Sequence, residues 1–163
     1  MTFEQFTSLT WIWIAIAVVV FFLLLFINAP YGKFTKTTWG PLIDNKLGWF
    51  LMEVVVIGAV LFFVMTGHNH QTIAGIVMLL LFGLHYFHRT FIYPLRIKTK
   101  GKKTPLVIIL MGITFNLING LLIGYYFGNF EEYHKSWLIS PQFIIGVIIF
   151  FTGMIINWQS DTI

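Results

Sequence analysis

The segment His85-Tyr86-Phe87-His88-Arg89-Thr90-Phe91-Ile92-Tyr93-Pro94 packs hydrogen-bond donors, a cation and imidazoles into the end of a long apolar run that begins near Gln71. A run of that length reads as a membrane span, and ionisable groups in lipid are costly enough to imply a role. Tyr86, Arg89 and Tyr93 are spaced i, i+3, i+7 and so share one helix face. Two further polar sets accompany them. Glu53 stands alone inside an apolar run from about 47 to 66, and Gly153, Asn157 and Asp161 recur at i+4 near the end of the chain. Phenol, carboxyl and guanidinium in one place can bind a carbonyl-sized polar group. Arg89, Tyr93, Asn157 and Asp161, with lysines nearby, can hold a large polar anion.

The elements that must position these groups follow from composition. The chain has 163 residues, 58% hydrophobic and 10% charged, with mean hydropathy +0.84. A soluble domain carries about 25% charged residues. The expected fold is therefore an all-α, multi-pass integral membrane bundle of five transmembrane helices in a single domain, 1–163. The spans are expected at about 9–27, 47–66, 71–93, 105–127 and 141–158, each near the ~20 residues a bilayer helix needs. The five prolines, Pro30, Pro41, Pro94, Pro105 and Pro141, lie between these segments or at their ends, where a missing backbone donor does least harm. The first run, Leu9 to Ile27, lacks a basic flank and a small-residue cleavage site, and it reads as a retained span. The absence of cysteine excludes a disulfide framework, a Cys-ligated zinc or iron–sulfur site and a thiol nucleophile.

Basic residues set the expected orientation. Lys33, Lys36 and Lys46 follow the first span, and Arg96, Lys98, Lys100, Lys102 and Lys103 follow the third. The turn at 67–70 has none, and the loop at 128–140 has only Lys135, beside Glu131 and Glu132. The N-terminus is thus expected outside and the C-terminus in the cytoplasm, of either a bacterial inner membrane or the endoplasmic reticulum. The net charge of +4 is mostly this topology signal, and no nucleic-acid partner is expected.

With that orientation, Glu53 lies ~9 Å and Tyr86 ~10 Å from the cytoplasmic side. The short turn between their helices makes them neighbours. Two tiers result: Glu53 and Tyr86 within, Arg89, Tyr93, Asn157 and Asp161 without. Each residue has a plainer reading. Glu53 can be a structural carboxyl, Tyr86 and Tyr93 interface aromatics, and Arg89 a snorkelling cation. His85 and His88 read as bundle residues, since no ligand spacing surrounds them, and His68 and His70 as solvated. Asn116, Gly120 and Gly124 form an i, i+4, i+8 stripe, and its two glycines read first as close helix packing and second as a cavity wall. Glu131 and Glu132 read as an exposed loop. A channel or transporter is disfavoured, because the polar groups gather at one end and do not line a path through the bilayer.

Taken in order, Tyr31-Gly32-Lys33, Trp39-Gly40, Gly48-Trp49-Phe50-Leu51-Met52-Glu53, the His85–Tyr93 motif, Asn119-Gly120 with Gly124-Tyr125-Tyr126, and Gly153-Met154-Ile155-Ile156-Asn157 with Ser160-Asp161 resemble the steroid 5α-reductase family. The resemblance covers about residues 29–161. It implies a membrane oxidoreductase of lipid and steroid metabolism that uses NADPH to reduce the 4,5 double bond of 3-oxosteroids. Family relatives act on enoyl-CoA or polyprenoid substrates. It implies that Glu53 and Tyr86 bind the substrate carbonyl, and that Arg89, Asn157 and Asp161 contact the dinucleotide. Lys102 stands where the family usually places a phosphate-contacting Arg. Tyr93 joins the cofactor set, and no metal is implied.

Hydride addition to a conjugated enone puts negative charge on the carbonyl oxygen, which donors aimed at it stabilise. A Tyr hydroxyl donates directly, and a protonated carboxyl can donate as well. Met52 stands where animal members usually carry Gln, which bears on substrate choice. The family has seven helices, and the chain ends at Ile163 before its last spans. The expectations are therefore a reductase with a separate chain supplying the missing helices, a truncated or non-catalytic five-helix protein of the same fold, or a reductase of another lipid enone or enoyl substrate.

Overall fold

In a computed structural model, the structure describes residues 1–27, 34–35, 37–69, 71–98 and 101–161. Pro30, the Tyr31-Gly32-Lys33 motif, Lys36, His70 and Lys100 lie outside the described residues. Among the described residues, five helices are long and apolar enough to cross a bilayer: α1 (Phe3–Phe26), α2 (Asn45–Thr66), α3 (Ile73–Arg96), α4 (Leu106–Asn129) and α5 (Pro141–Ser160). Their large side chains are widely exposed, as in Phe21, Leu80, Ile149 and many others. In lipid such exposure carries no penalty, and every backbone group of a helix is satisfied within it.

Four of the five helices begin where a side chain caps them, whereas α4 follows Pro105 without one. Thr2 and Gln5 form a reciprocal capping box, so α1 starts at Phe3, ahead of the apolar run at Leu9. Asp44 accepts from Lys46 N and Leu47 N at 2.9 and 3.1 Å. Thr72 accepts from Gly75 N, and Ser140 from Phe143 N ahead of Pro141.

The bundle is centred on α2 and α4, the most extensively paired helices. They run parallel: Gly48 faces Ile109, Met52 faces Gly112, Ala59 faces Gly120 and Val60 faces Gly124. Close approach requires glycine at Gly120, where a Cβ would lie 2.6 Å from Ala59 Cβ and 3.1 Å from Val56 O. Without a hydrophobic drive between helices in lipid, such backbone approach supplies the packing energy. Val56, Val60 and Ile109 are buried in this seam.

A two-stranded antiparallel ribbon sets the seam's register. β1 (Leu42–Asp44) pairs with β2 (Lys103–Pro105), Ile43 opposite Thr104. Asn45 N donates to Lys102 O at 3.2 Å, and Thr104 Oγ1 to Asn45 Oδ1 at 2.7 Å. The ribbon joins the starts of α2 and α4, so both enter the bundle at one level.

Helix α3 departs from the expected end at Pro94. It continues to Arg96 because His88–Ile92 forms a π turn, in which Tyr93 N donates to His88 O, five residues back. In a regular helix the Pro94 ring would clash with the Thr90 carbonyl. The extra residue of the π turn displaces that carbonyl and lets the helix pass the proline.

The opposite end of the bundle is closed by Glu131, which the sequence reads as an exposed loop residue. The structure corrects this: Glu131 is fully buried, while Glu132 is exposed. Its carboxylate accepts from Thr72 Oγ1 at 2.6 Å, from Tyr133 N at 2.8 Å and from Thr72 N at 3.3 Å. Asn69 Nδ2 donates to its main-chain oxygen. A carboxylate at the N-terminus of α3 also meets the positive end of the helix dipole.

Helix α1 packs on the rest through its first turns and Trp13, whose Nε1 donates to Asn119 Oδ1 at 2.9 Å. Phe6 is its buried residue, set among Tyr125, Tyr126 and Phe130.

Candidate functional site

The π turn of α3 carries Arg89 into the bundle's polar centre. Its Nε lies 3.7 Å from Glu53 Oε1 on α2, and its Nη1 lies 3.4 Å from Asp161 Oδ2 at the end of α5. The side chains of Arg89, Glu53 and Asp161 are 16, 11 and 21% exposed, so all three charges are mostly withdrawn from solvent. An isolated charge there would be costly, and Arg89 offsets one of the two negative charges its partners can carry.

Aromatic rings complete the cage. Arg89 Cζ sits 4.3 Å from the Tyr93 ring centroid and 4.8 Å from that of Trp49. The two rings meet edge to face at 5.2 Å. Their π faces attract the guanidinium and fix its plane. Trp49 and Glu53 are one turn apart on α2, so one helix face supplies both a ring and the acid. The sequence reading did not single out Trp49. Its signal was that i, i+4 spacing.

Arg89 thus joins the two tiers that depth alone separates. The sequence pairs Glu53 with Tyr86 and turns Arg89 outward. In the structure Arg89 reaches inward to Glu53 and outward to Asp161 together. Tyr86 is half-buried one turn away, packed on Phe82 at 4.5 Å and His85 at 5.1 Å. It lies within electrostatic range of Glu53 and Arg89, and its hydroxyl makes no hydrogen bond among the described residues.

Asn157 and Lys102 are not drawn into this cluster. Asn157 is exposed on α5 one turn before Asp161, and its main-chain oxygen accepts from Asp161 N at 2.9 Å. Lys102 is exposed beside the ribbon. His88 is buried against Trp158 at 5.0 Å. These two, with Tyr93, Arg96 and Asp161, line a small cleft beside the Arg89 cage. No group of His, Asp and Glu among the described residues has metal-site geometry.

Asn116 shares the stripe of Gly120 and Gly124 on α4. It is buried, and its Nδ2 donates to Met52 O at 2.7 Å. Met52 itself turns to Gly112, where a Cβ would lie 2.5 Å from its Sδ. It fills the α2–α4 seam.

The arrangement sets, at one end of the bundle, the Glu53 carboxyl against a caged cation, with a phenol within electrostatic range of both and a second carboxylate beyond them. Comparison with known proteins agrees in kind. The family described as 3-oxo-5-alpha-steroid 4-dehydrogenase matches residues 102–163. The steroid 5-alpha-reductase DET2 of Arabidopsis thaliana is 36% identical over 148 residues, covering 85% of this chain and 55% of that protein. The 3-oxo-5-alpha-steroid 4-dehydrogenase 2 of Rattus norvegicus is 38% identical over 142 residues, covering 82% and 53%. The chain spans about half the length of the curated relatives it matches. With its five membrane-length helices, the chain is an integral membrane protein that belongs to the steroid 5α-reductase family.

Proposed function

We propose that this chain provides the substrate-carbonyl site and part of the cofactor site of an NADPH-dependent membrane reductase acting on the 4,5 double bond of 3-oxosteroids. The observation that carries the reading is the Arg89 bridge between Glu53 and Asp161. It sets an acid at lipid depth beside a cation that continues toward the loops rich in lysine.

In this reading the steroid enters from the bilayer, since its apolar body matches the apolar walls around Glu53 and Tyr86. The Tyr86 hydroxyl, which makes no hydrogen bond among the described residues, donates to the 3-oxo oxygen, and the Glu53 carboxyl donates to the same oxygen from its protonated form. Both are set to stabilise the negative charge that grows there as the conjugated double bond is reduced. Arg89 fixes the Glu53 carboxyl from the other side, and its cage excludes water from that pair.

The donor set fits part of a phosphorylated dinucleotide. Arg89 and Arg96 offer guanidinium groups, Lys102 an ammonium group, Asp161 an acceptor for hydroxyls and Asn157 a carboxamide. NADPH, when bound, supplies the hydride. The chain's own residues orient it: Arg89 and Tyr93 at its inner end, Asn157, Asp161 and Lys102 toward the cytoplasm. On this reading, further helices complete the enclosure, in a longer product of the same gene or in a separate chain. The lysine-rich loops face the cytoplasm.

The test is turnover of progesterone or testosterone with NADPH in membranes carrying the protein, wild type against Glu53→Gln and Tyr86→Phe. Both variants are expected to lose most activity. Full activity in both would remove the carbonyl-binding assignment.

A further inference from the structure

His88 is a buried imidazole to which the proposed reaction assigns no role. It is 8% exposed, and its ring makes no hydrogen bond among the described residues. A polar group withdrawn from water without partners is costly. The fully enclosed side-chain polar atoms that lack a partner are Gln71 Oε1 and Thr90 Oγ1. The His88 ring nitrogens are not among them, so each still meets open space. Trp158 packs on the ring at 5.0 Å and 39°. The open space beside it is the cleft between the ends of α3 and α5, which His88 lines with Tyr93, Arg96, Trp158 and Asp161. The cavity volume there is about 10 Å³, and one water needs ~10–15 Å³. The cleft therefore admits a single oxygen, either a water or one group of a larger ligand lying outside. Its walls select the kind of oxygen. Arg96 brings donors. Asp161 brings acceptors, and only its Oδ2 is engaged, by Arg89 Nη1 at 3.4 Å. An imidazole can donate from one nitrogen and accept at the other. A hydroxyl both donates and accepts, so it answers all three groups. A phosphate oxygen only accepts and would lie against the Asp161 carboxylate.

We propose that this cleft is a one-oxygen socket, with His88 as its innermost contact. Water fills it in the ligand-free protein, and a ribose hydroxyl of the dinucleotide replaces that water in the complex. Arg96 and Asp161 complete the hydrogen bonds at the mouth, and Trp158 holds the imidazole in place. The socket stands on the geometry of the cleft; its occupant rests on the reductase reading above.

The experiment uses the full chain in lipid nanodiscs, with its histidine rings labelled with nitrogen-15. The His88 signals are those missing in His88→Gln. Without ligand they are expected at the shifts of a hydrogen-bonded imidazole. NADPH is expected to move them, and inorganic phosphate to leave them in place. His88→Phe, which keeps a ring and loses both nitrogens, is expected to weaken NADPH binding about fivefold, the scale of one hydrogen bond. His88→Gln, which keeps a donor and an acceptor, should recover most of that loss. Free-imidazole shifts in the ligand-free chain would overturn the socket. Shifts that NADPH leaves unmoved while it binds, or that phosphate moves equally, would overturn the hydroxyl assignment. Equal losses in the two variants would reduce His88 to packing and overturn the proposal. If His88→Phe fails to fold, the shifts of the wild-type chain decide alone. If the wild-type chain binds no NADPH, the cofactor reading fails and takes the ribose with it, while the ligand-free shifts still decide the water socket.

Discussion

Arg89 and Glu53, from neighbouring helices, meet at 3.7 Å with both side chains largely buried, and the same guanidinium reaches Asp161 at 3.4 Å. Replacing Arg89 by Met removes the cation that both acids share. A destabilisation of about 1–3 kcal/mol is expected, because a lost partner leaves its mate poorly solvated. Adding Glu53→Gln should recover part of it. Thermal melting of the purified variants in one detergent checks both statements, and equal melting of Arg89→Met and wild type would refute them.

At the other end of the bundle, Glu131 accepts three hydrogen bonds that hold the segment before α3 against the loop after α4. Glu131→Ala is expected to lower stability by about 2–4 kcal/mol, since several buried donors lose their acceptor together. Glu132→Ala, at an exposed neighbour, should stay within about 0.5 kcal/mol of wild type. Hydrogen exchange of residues 67–75 should quicken in the first variant and not in the second.

Gly120 and Gly146 make opposite predictions from the same substitution. A Cβ at Gly120 would press on Ala59 Cβ at 2.6 Å and on the α2 backbone, so Gly120→Ala should destabilise by about 1–3 kcal/mol through overpacking. At Gly146, within α5, a Cβ meets nothing within 4 Å. Gly146→Ala there should be neutral or stabilising by up to about 1 kcal/mol from helix propensity. Melting temperatures of the two variants should fall on opposite sides of wild type, or at least well apart.

Because the chain contains no cysteine, single cysteines report topology without background. His68→Cys and Lys98→Cys lie at opposite ends of α3, both at exposed positions. An impermeant thiol reagent is expected to label the first only from the outer side and the second only from the cytoplasmic side. Labelling of both from one side would reject a membrane-spanning α3, and the reversed pattern would reject the orientation.

The fold was legible where lipid acts residue by residue. Long apolar runs are readable because the bilayer asks each side chain the same question, whatever its neighbours. Termini were less so: α1 begins at Phe3 because Thr2 and Gln5 cap each other, a local bond stronger than the hydropathy boundary. Pro94 signals a helix end in sequence, and only the π turn shows how α3 passes it. The β1–β2 ribbon joins three-residue strands some sixty residues apart, too short for any periodicity to announce. Within the site, Glu53, Tyr86 and Arg89 stood out as polar groups at lipid depth, and Asp161 by its i+4 spacing from Asn157. Trp49 did not stand out, because an aromatic residue also suits ordinary packing.

By itself the sequence determined that this chain carries five apolar runs of membrane length and resembles the steroid 5α-reductase family, and which residues are chemically unusual in lipid. Only the tertiary structure decided which of those residues meet. Hydropathy and spacing fix depth and face along one helix, whereas the partner of a charge depends on how helices from distant parts of the chain rotate against one another. That rotation is set by the glycine ladder of α4, the ribbon at its start and the π turn of α3. They place Arg89 between Glu53 and Asp161.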